Sequence, residues 1–136
     1  MTTDERMPRP ARRLVAGSFV LDVVLVVAFA AVGRASHSEA VLVGLWITAW
    51  PFLAGLVAGW LATRAWRAPA APVRTGLGVW AATVVGGMLL RAASGQGTAL
   101  PFIVVATVTL CLFLVGWRAI AYLVSRARAR RQSIPR

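Results

Sequence analysis

Two ionisable side chains stand inside otherwise apolar sequence. Asp22 lies within Phe19-Val20-Leu21-Asp22-Val23-Val24, and Arg118 within Val115-Gly116-Trp117-Arg118-Ala119-Ile120. An isolated charge in hydrocarbon costs several kcal/mol, so each needs a partner or a function that justifies it. At 1.5 Å per residue, Asp22 falls roughly 12 Å and Arg118 roughly 9 Å inside the apolar runs that hold them, measured from the same side. Their depths agree and their signs oppose. The expected arrangement is a buried ion pair that fixes helix register. The alternatives are a proton-relay or ion-coupling carboxylate at Asp22, and an Arg118 that snorkels to the headgroups.

A second polar cluster sits at the other ends of the apolar runs. Arg34, Ser36 and His37 follow the first run, and Arg91, Ser94, Gln96 and Thr98 follow the third. Two arginines need not repel when an anion lies between them, and Gly95 and Gly97 would let backbone N–H groups approach it. Arg34, His37, Arg91 and Gln96 therefore form a candidate site for a lipid phosphate or a carboxylate. The plainer reading is loop capping and headgroup contact.

The elements that must position these residues are four apolar stretches: residues 14–32, 40–62, 75–90 and 99–124. Each is close to the ~17–25 residues with which a helix crosses a ~30 Å hydrocarbon layer. The 136 residues are 59% hydrophobic, which leaves short loops and tails and no second soluble domain. The expected fold is all-α, an integral membrane four-helix bundle over 14–124, with basic tails at 1–13 and 125–136. The first stretch has a basic lead-in and the triplet Ala28-Phe29-Ala30, as a signal peptide would. It is longer than a signal core and contains Asp22, so it is read as a retained span.

Net charge is +11, and all fifteen basic residues are arginine. All but Arg118 flank the apolar runs, and they form no basic patch in a soluble segment, which excludes nucleic acid as the expected partner. Arg6, Arg9, Arg12, Arg13, Arg64, Arg67, Arg74, Arg126, Arg128, Arg130, Arg131 and Arg136 would share one side of the membrane; Arg34 and Arg91 would share the other. This bias predicts a multi-pass protein of the bacterial cytoplasmic membrane with both termini inside. It also predicts anionic lipids as partners. One cysteine, Cys111, and one histidine give no disulfide, metal or cofactor site.

Small and polar residues mark the face of each span that packs inward. Ser18 and Asp22 do so in the first. Gly44, Thr48, Gly55, Gly59 and Thr63 do so in the second, and Gly76, Thr83, Gly87 and Ser94 in the third. Thr107, Cys111, Arg118, Tyr122 and Ser125 do so in the fourth. Gly55-x-x-x-Gly59 is a tight-packing motif that fits an internal contact or a dimer seam. Pro51 should kink the second helix. Pro69 and Pro72 should make residues 65–74 a stiff turn. Trp60, Trp66 and Tyr122 fit an interfacial belt.

The segments Gly33-Arg34-Ala35-Ser36-His37, Trp46-Ile47-Thr48-Ala49-Trp50-Pro51-Phe52 and Gly86–Thr98 resemble an actinobacterial family, domain-of-unknown-function family 3054. The resemblance covers about Leu14 to Tyr122. It implies a small multi-span membrane protein from a high-GC bacterium, and it assigns no activity and no catalytic residue. The residues themselves point to an interaction or lipid-binding accessory protein rather than an enzyme, working as a homo-oligomer or in a larger membrane complex. The alternative is a small transporter with Asp22 as coupling carboxylate. That architecture resembles small multidrug-resistance exporters, but those use glutamate without a matched arginine. A lipid-phosphate enzyme would have only Ser36 and His37 to offer as reacting groups.

Overall fold

A computed structural model of the chain describes residues 10–34 and 41–134. Four helices fill them: α1 (Arg12–Arg34), α2 (Val41–Thr63), α3 (Pro72–Ala93) and α4 (Leu100–Gln132). There is no strand among the described residues. All four helices are long and apolar enough to cross a membrane. They run alternately up and down; α2 packs most closely on α3, and α4 closes the bundle against both α1 and α3.

Polarity is inverted relative to a water-soluble bundle. Val24, Leu89, Val104, Leu112 and Ile120 are exposed, while Asp22, Thr83 and Arg118 are fully buried. An apolar exterior suits lipid, and polar groups must then be satisfied inside. Between the two polar ends lies a core of Val26, Phe29, Phe52, Leu56, Val79, Ala106, Leu110 and Leu114. Phe29 meets Phe52 edge to face, with ring centroids 5.2 Å apart.

The inward row of each helix advances mainly in steps of four. It runs Ser18, Asp22, Val26, Ala30 in α1; Val79, Thr83, Gly87 in α3; and Ala106, Leu110, Leu114, Arg118 in α4. In α4 this corrects the expected stripe. Thr107 and Cys111 are only half-buried, and Tyr122 and Ser125 are exposed, as is Ser94 in α3. The reason is local. The Thr107 and Ser125 hydroxyls donate to the carbonyls of Ile103 (2.7 Å) and Ala121 (2.8 Å), one turn back, so neither needs a partner helix.

Gly55 and Gly59 lie between α2 and α3. A Cβ at Gly55 would come within 2.9 Å of the Thr83 carbonyl oxygen, and one at Gly59 within 3.0 Å of the Ala82 Cβ. The motif thus serves an internal contact. α2 runs unbroken through Pro51, which is buried. It ends at Arg64, which takes a left-handed conformation (φ 50°) where glycine is usual.

The turn after α2 is ordered in detail. A short 3-10 turn over Ala65–Arg67 leads to Pro72, which opens α3 with a wide π turn, Pro72–Leu77. Thr75 Oγ1 donates to the Ala68 carbonyl at 2.6 Å, and the Gly76 N–H to that of Ala71 at 2.9 Å. α4 has a second π turn at Cys111–Val115 and stays helical to Gln132. The segment read as a C-terminal tail is therefore mostly an exposed arginine-rich helix.

Candidate functional sites at the two ends of the bundle

The end that carries the tails holds Asp22 and Arg118. Arg118 Nη2 lies 2.6 Å from Asp22 Oδ2, and both residues are fully buried. Arg118 Nη1 donates to Oδ1 at 3.0 Å, which completes a two-pronged pair. Two indoles finish the shell: Trp60 Nε1 donates to Oδ2 at 2.8 Å and Trp117 Nε1 to Oδ1 at 2.9 Å. A carboxylate offers about four acceptor sites, and all are taken. The guanidinium is almost as fully used. Its Nε donates to the Pro69 carbonyl at 2.8 Å, its Nη1 also to the Leu114 carbonyl at 2.7 Å, and it stacks on the Trp117 ring.

Each element contributes for a local reason. The ordered turn aims the Pro69 carbonyl inward. Gly76, in the π turn of α3, leaves room for the arginine stem; a Cβ there would stand 3.2 Å from Arg118 Cδ. The cluster thus ties α1, α2, the Pro69 turn and α4 to one carboxylate. One alternative falls here and one expectation is corrected. Arg118 is fully buried and does not snorkel. Trp60 is 6% exposed and faces Asp22 rather than the interfacial belt, because it continues the buried row Phe52, Leu56. Trp66 and Tyr122 do lie on the surface. Neither Trp117 nor the Pro69 carbonyl was anticipated as a partner. That Trp117 adjoins Arg118 was the one available signal.

The opposite end holds the arginine cluster. α3 closes with a Schellman cap: the Gly95 N–H donates to the Ala92 carbonyl and the Gln96 N–H to that of Arg91, with Gly95 at φ 75°. Only a residue free to enter that region turns the chain back so sharply. The turn lays Gln96 and Gly97 over Arg91. Its Nη1 donates to Gln96 Oε1 at 2.8 Å, and its Nη2 and Nε to the Gly97 carbonyl at 2.9 and 3.3 Å. The guanidinium also lies 4.2 Å from the centre of the Phe102 ring.

Arg34, the last residue of α1, is held more loosely. It makes a 3.4 Å contact from Nη1 to Thr48 Oγ1, and its buried Nε has no hydrogen-bond partner. Its guanidinium rests on Gly44 of α2, in the space where any Cβ would stand. Arg34 and Arg91 line one cavity of about 190 Å³, together with Phe29, Ala30, Gly33, Thr48 and Phe102. No carboxylate is among the described residues that line it. His37 and Ser36, expected beside this cluster, lie outside the described residues. Among the described residues no group of histidine, cysteine and carboxylate side chains could hold a metal ion.

Comparison with curated proteins and with solved structures gives no match. The profile of one family, described as "Protein of unknown function (DUF3054)", matches residues 19–121, a span that takes in the Asp22 cluster and both arginines of the cavity. The chain belongs to that family.

Proposed function

We propose that this protein is a membrane-embedded binding protein for an anionic group, acting as a lipid-binding accessory component rather than as an enzyme. One observation carries the reading: Arg34 and Arg91 line the same cavity, and among the described residues that line it there is no carboxylate to neutralise them. Paired guanidinium groups meet a phosphate or carboxylate with several charge-assisted hydrogen bonds. In this reading the protein sits in a bacterial cytoplasmic membrane with both tails inside, and the cavity opens on the outer side. Anionic lipids are its partners, and it acts alone, as a homo-oligomer or within a larger complex.

The state of Asp22 weighs against the transporter alternative. Its acceptor sites are filled by four N–H groups. With no acceptor site left open, the cluster suits a fixed joint better than a carrier.

The test is lipid retention. The protein is purified into lipid nanodiscs and its bound lipids are identified by mass spectrometry. Arg34→Gln and Arg91→Gln should each lower retention of anionic lipid by about tenfold, a typical effect of losing charged hydrogen bonds. Arg128→Gln, on the exposed end of α4, should change it little. Equal retention by all three variants would remove the cavity from the account.

A further inference from the structure

Resting on that reading, we infer that the anion is a phosphate group, gripped between a fixed jaw at Arg91 and a movable jaw at Arg34 for which Gly44 is the seat.

The asymmetry lies in how the two guanidinium groups are held. Arg91 commits three hydrogen bonds to Gln96 and Gly97 and stacks on Phe102. These partners are neutral, so they orient the cation without cancelling its charge. Of the five N–H groups of an arginine, Arg91 keeps two free of partners among the described residues. Among the described residues Arg34 makes a single long contact, and its buried Nε is unpartnered. An unpaired buried donor is costly, and a ligand oxygen would relieve it.

Donor number points to the class of ligand. The free N–H groups of two arginines and the Thr48 hydroxyl exceed the roughly four acceptor sites of a carboxylate. A phosphate presents its oxygens tetrahedrally and accepts from two forks at once. A ligand with its own cation is disfavoured, since an ammonium group would find no carboxylate among the described lining residues. The apolar walls, Phe29, Ala30 and Phe102, suit the glycerol and upper chain of an anionic phospholipid; free phosphate shares the headgroup chemistry.

Gly44 is the positioning residue. Any side chain there takes the space of the Arg34 guanidinium and moves it off the cavity wall. Alanine is the better helix former, so Gly44→Ala should not unfold α2. Its charge is unchanged. Gly17→Ala is the control, because a Cβ at Gly17 meets nothing within 4 Å.

The experiment uses delipidated full-length protein in detergent, with bound ligand counted by native mass spectrometry and folding followed by thermal melting. The probes are phosphatidylglycerol, phosphatidylethanolamine, oleate and inorganic phosphate. Phosphatidylglycerol should bind at least about tenfold more tightly than phosphatidylethanolamine, as loss of charge-assisted contacts implies. Gly44→Ala should weaken it as much as Arg34→Gln does, with Gly17→Ala unchanged. If inorganic phosphate displaces the lipid at equal concentration, the phosphate class stands and the source is the free ion. If it does not, the source is the lipid. Preferred binding of oleate would overturn the phosphate assignment while leaving the two-arginine cavity in place. Normal binding by Gly44→Ala alongside a defective Arg34→Gln would overturn the seat. Normal binding by both arginine variants would overturn this inference and the reading beneath it.

Discussion

Asp22 shows how far one charge in lipid constrains its surroundings. Once buried, it must be met by a cation and by enough donors to fill its lone pairs, and the structure supplies Arg118, Trp60 and Trp117. Removing one member of a buried pair leaves the other uncompensated, at a cost of about 3–5 kcal/mol. Asp22→Asn and Arg118→Gln should therefore each lower the melting temperature in detergent sharply, and the double variant should recover much of the loss. Trp60→Phe should cost less, about 1.5–3 kcal/mol for one hydrogen bond to a charged acceptor. Single variants that melt like the parent would mean that the pair does not hold the bundle. The pairing was legible in the sequence because opposite charges at one depth in hydrocarbon have few other fates. The indole donors were not, since tryptophan near a span end fits an interfacial belt equally well. The Pro69 carbonyl was invisible, because a backbone acceptor leaves no mark in composition.

Among the helices, the α2–α3 contact is the most exacting. Gly55→Ala sets a Cβ against backbone oxygen at Thr83, which cannot rotate away, whereas Gly17→Ala enters open space. The helices would have to part, and overpacking of this kind costs about 1–3 kcal/mol. Gly55→Ala should melt below the parent and Gly17→Ala at or slightly above it, given the helix preference of alanine. Similar melting of both would mean that the contact is looser than the structure has it. The glycines assigned to the inward faces of α2 and α3 are all buried, whereas Gly17 of α1 is exposed, so glycine guides only where it recurs at helical spacing. Serine and threonine were poorer guides. Thr83 is buried and Ser125 exposed, yet each donates to a carbonyl four residues back, so a hydroxyl in a helix says little about which way it faces. The ordered turn between Arg64 and Pro72 was legible only as a proline-stiffened break, since the bonds that hold it end on backbone carbonyls, which leave no mark in composition.

At the scale of the whole molecule, the two polar clusters occupy opposite ends of an apolar barrel of side chains, and arginines crowd only one of those ends. The fold class could be read directly from span length and composition, because bilayer thickness leaves few alternatives. That Arg34 and Arg91 could share a site was also legible, from their place at the same ends of the apolar runs; the shape of the cavity was not, since it depends on where Gly44 and the Schellman turn set two arginines that are far apart in sequence. The proposed orientation rests on charge: arginines near short loops stay on the cytoplasmic side. In that proposed orientation Ser133, exposed beyond α4, would lie inside, and Ser94, exposed at the end of α3, outside. Neither substitution alters an arginine, so the topological signal is preserved. With Cys111 replaced by alanine, Ser94→Cys should react with a membrane-impermeant maleimide in intact cells, and Ser133→Cys should react only after permeabilisation. The reverse pattern would invert the protein in the membrane and turn the arginine cavity toward the cytoplasm. Labelling of both in intact cells would indicate that the chain inserts both ways up, against the charge bias that should forbid it.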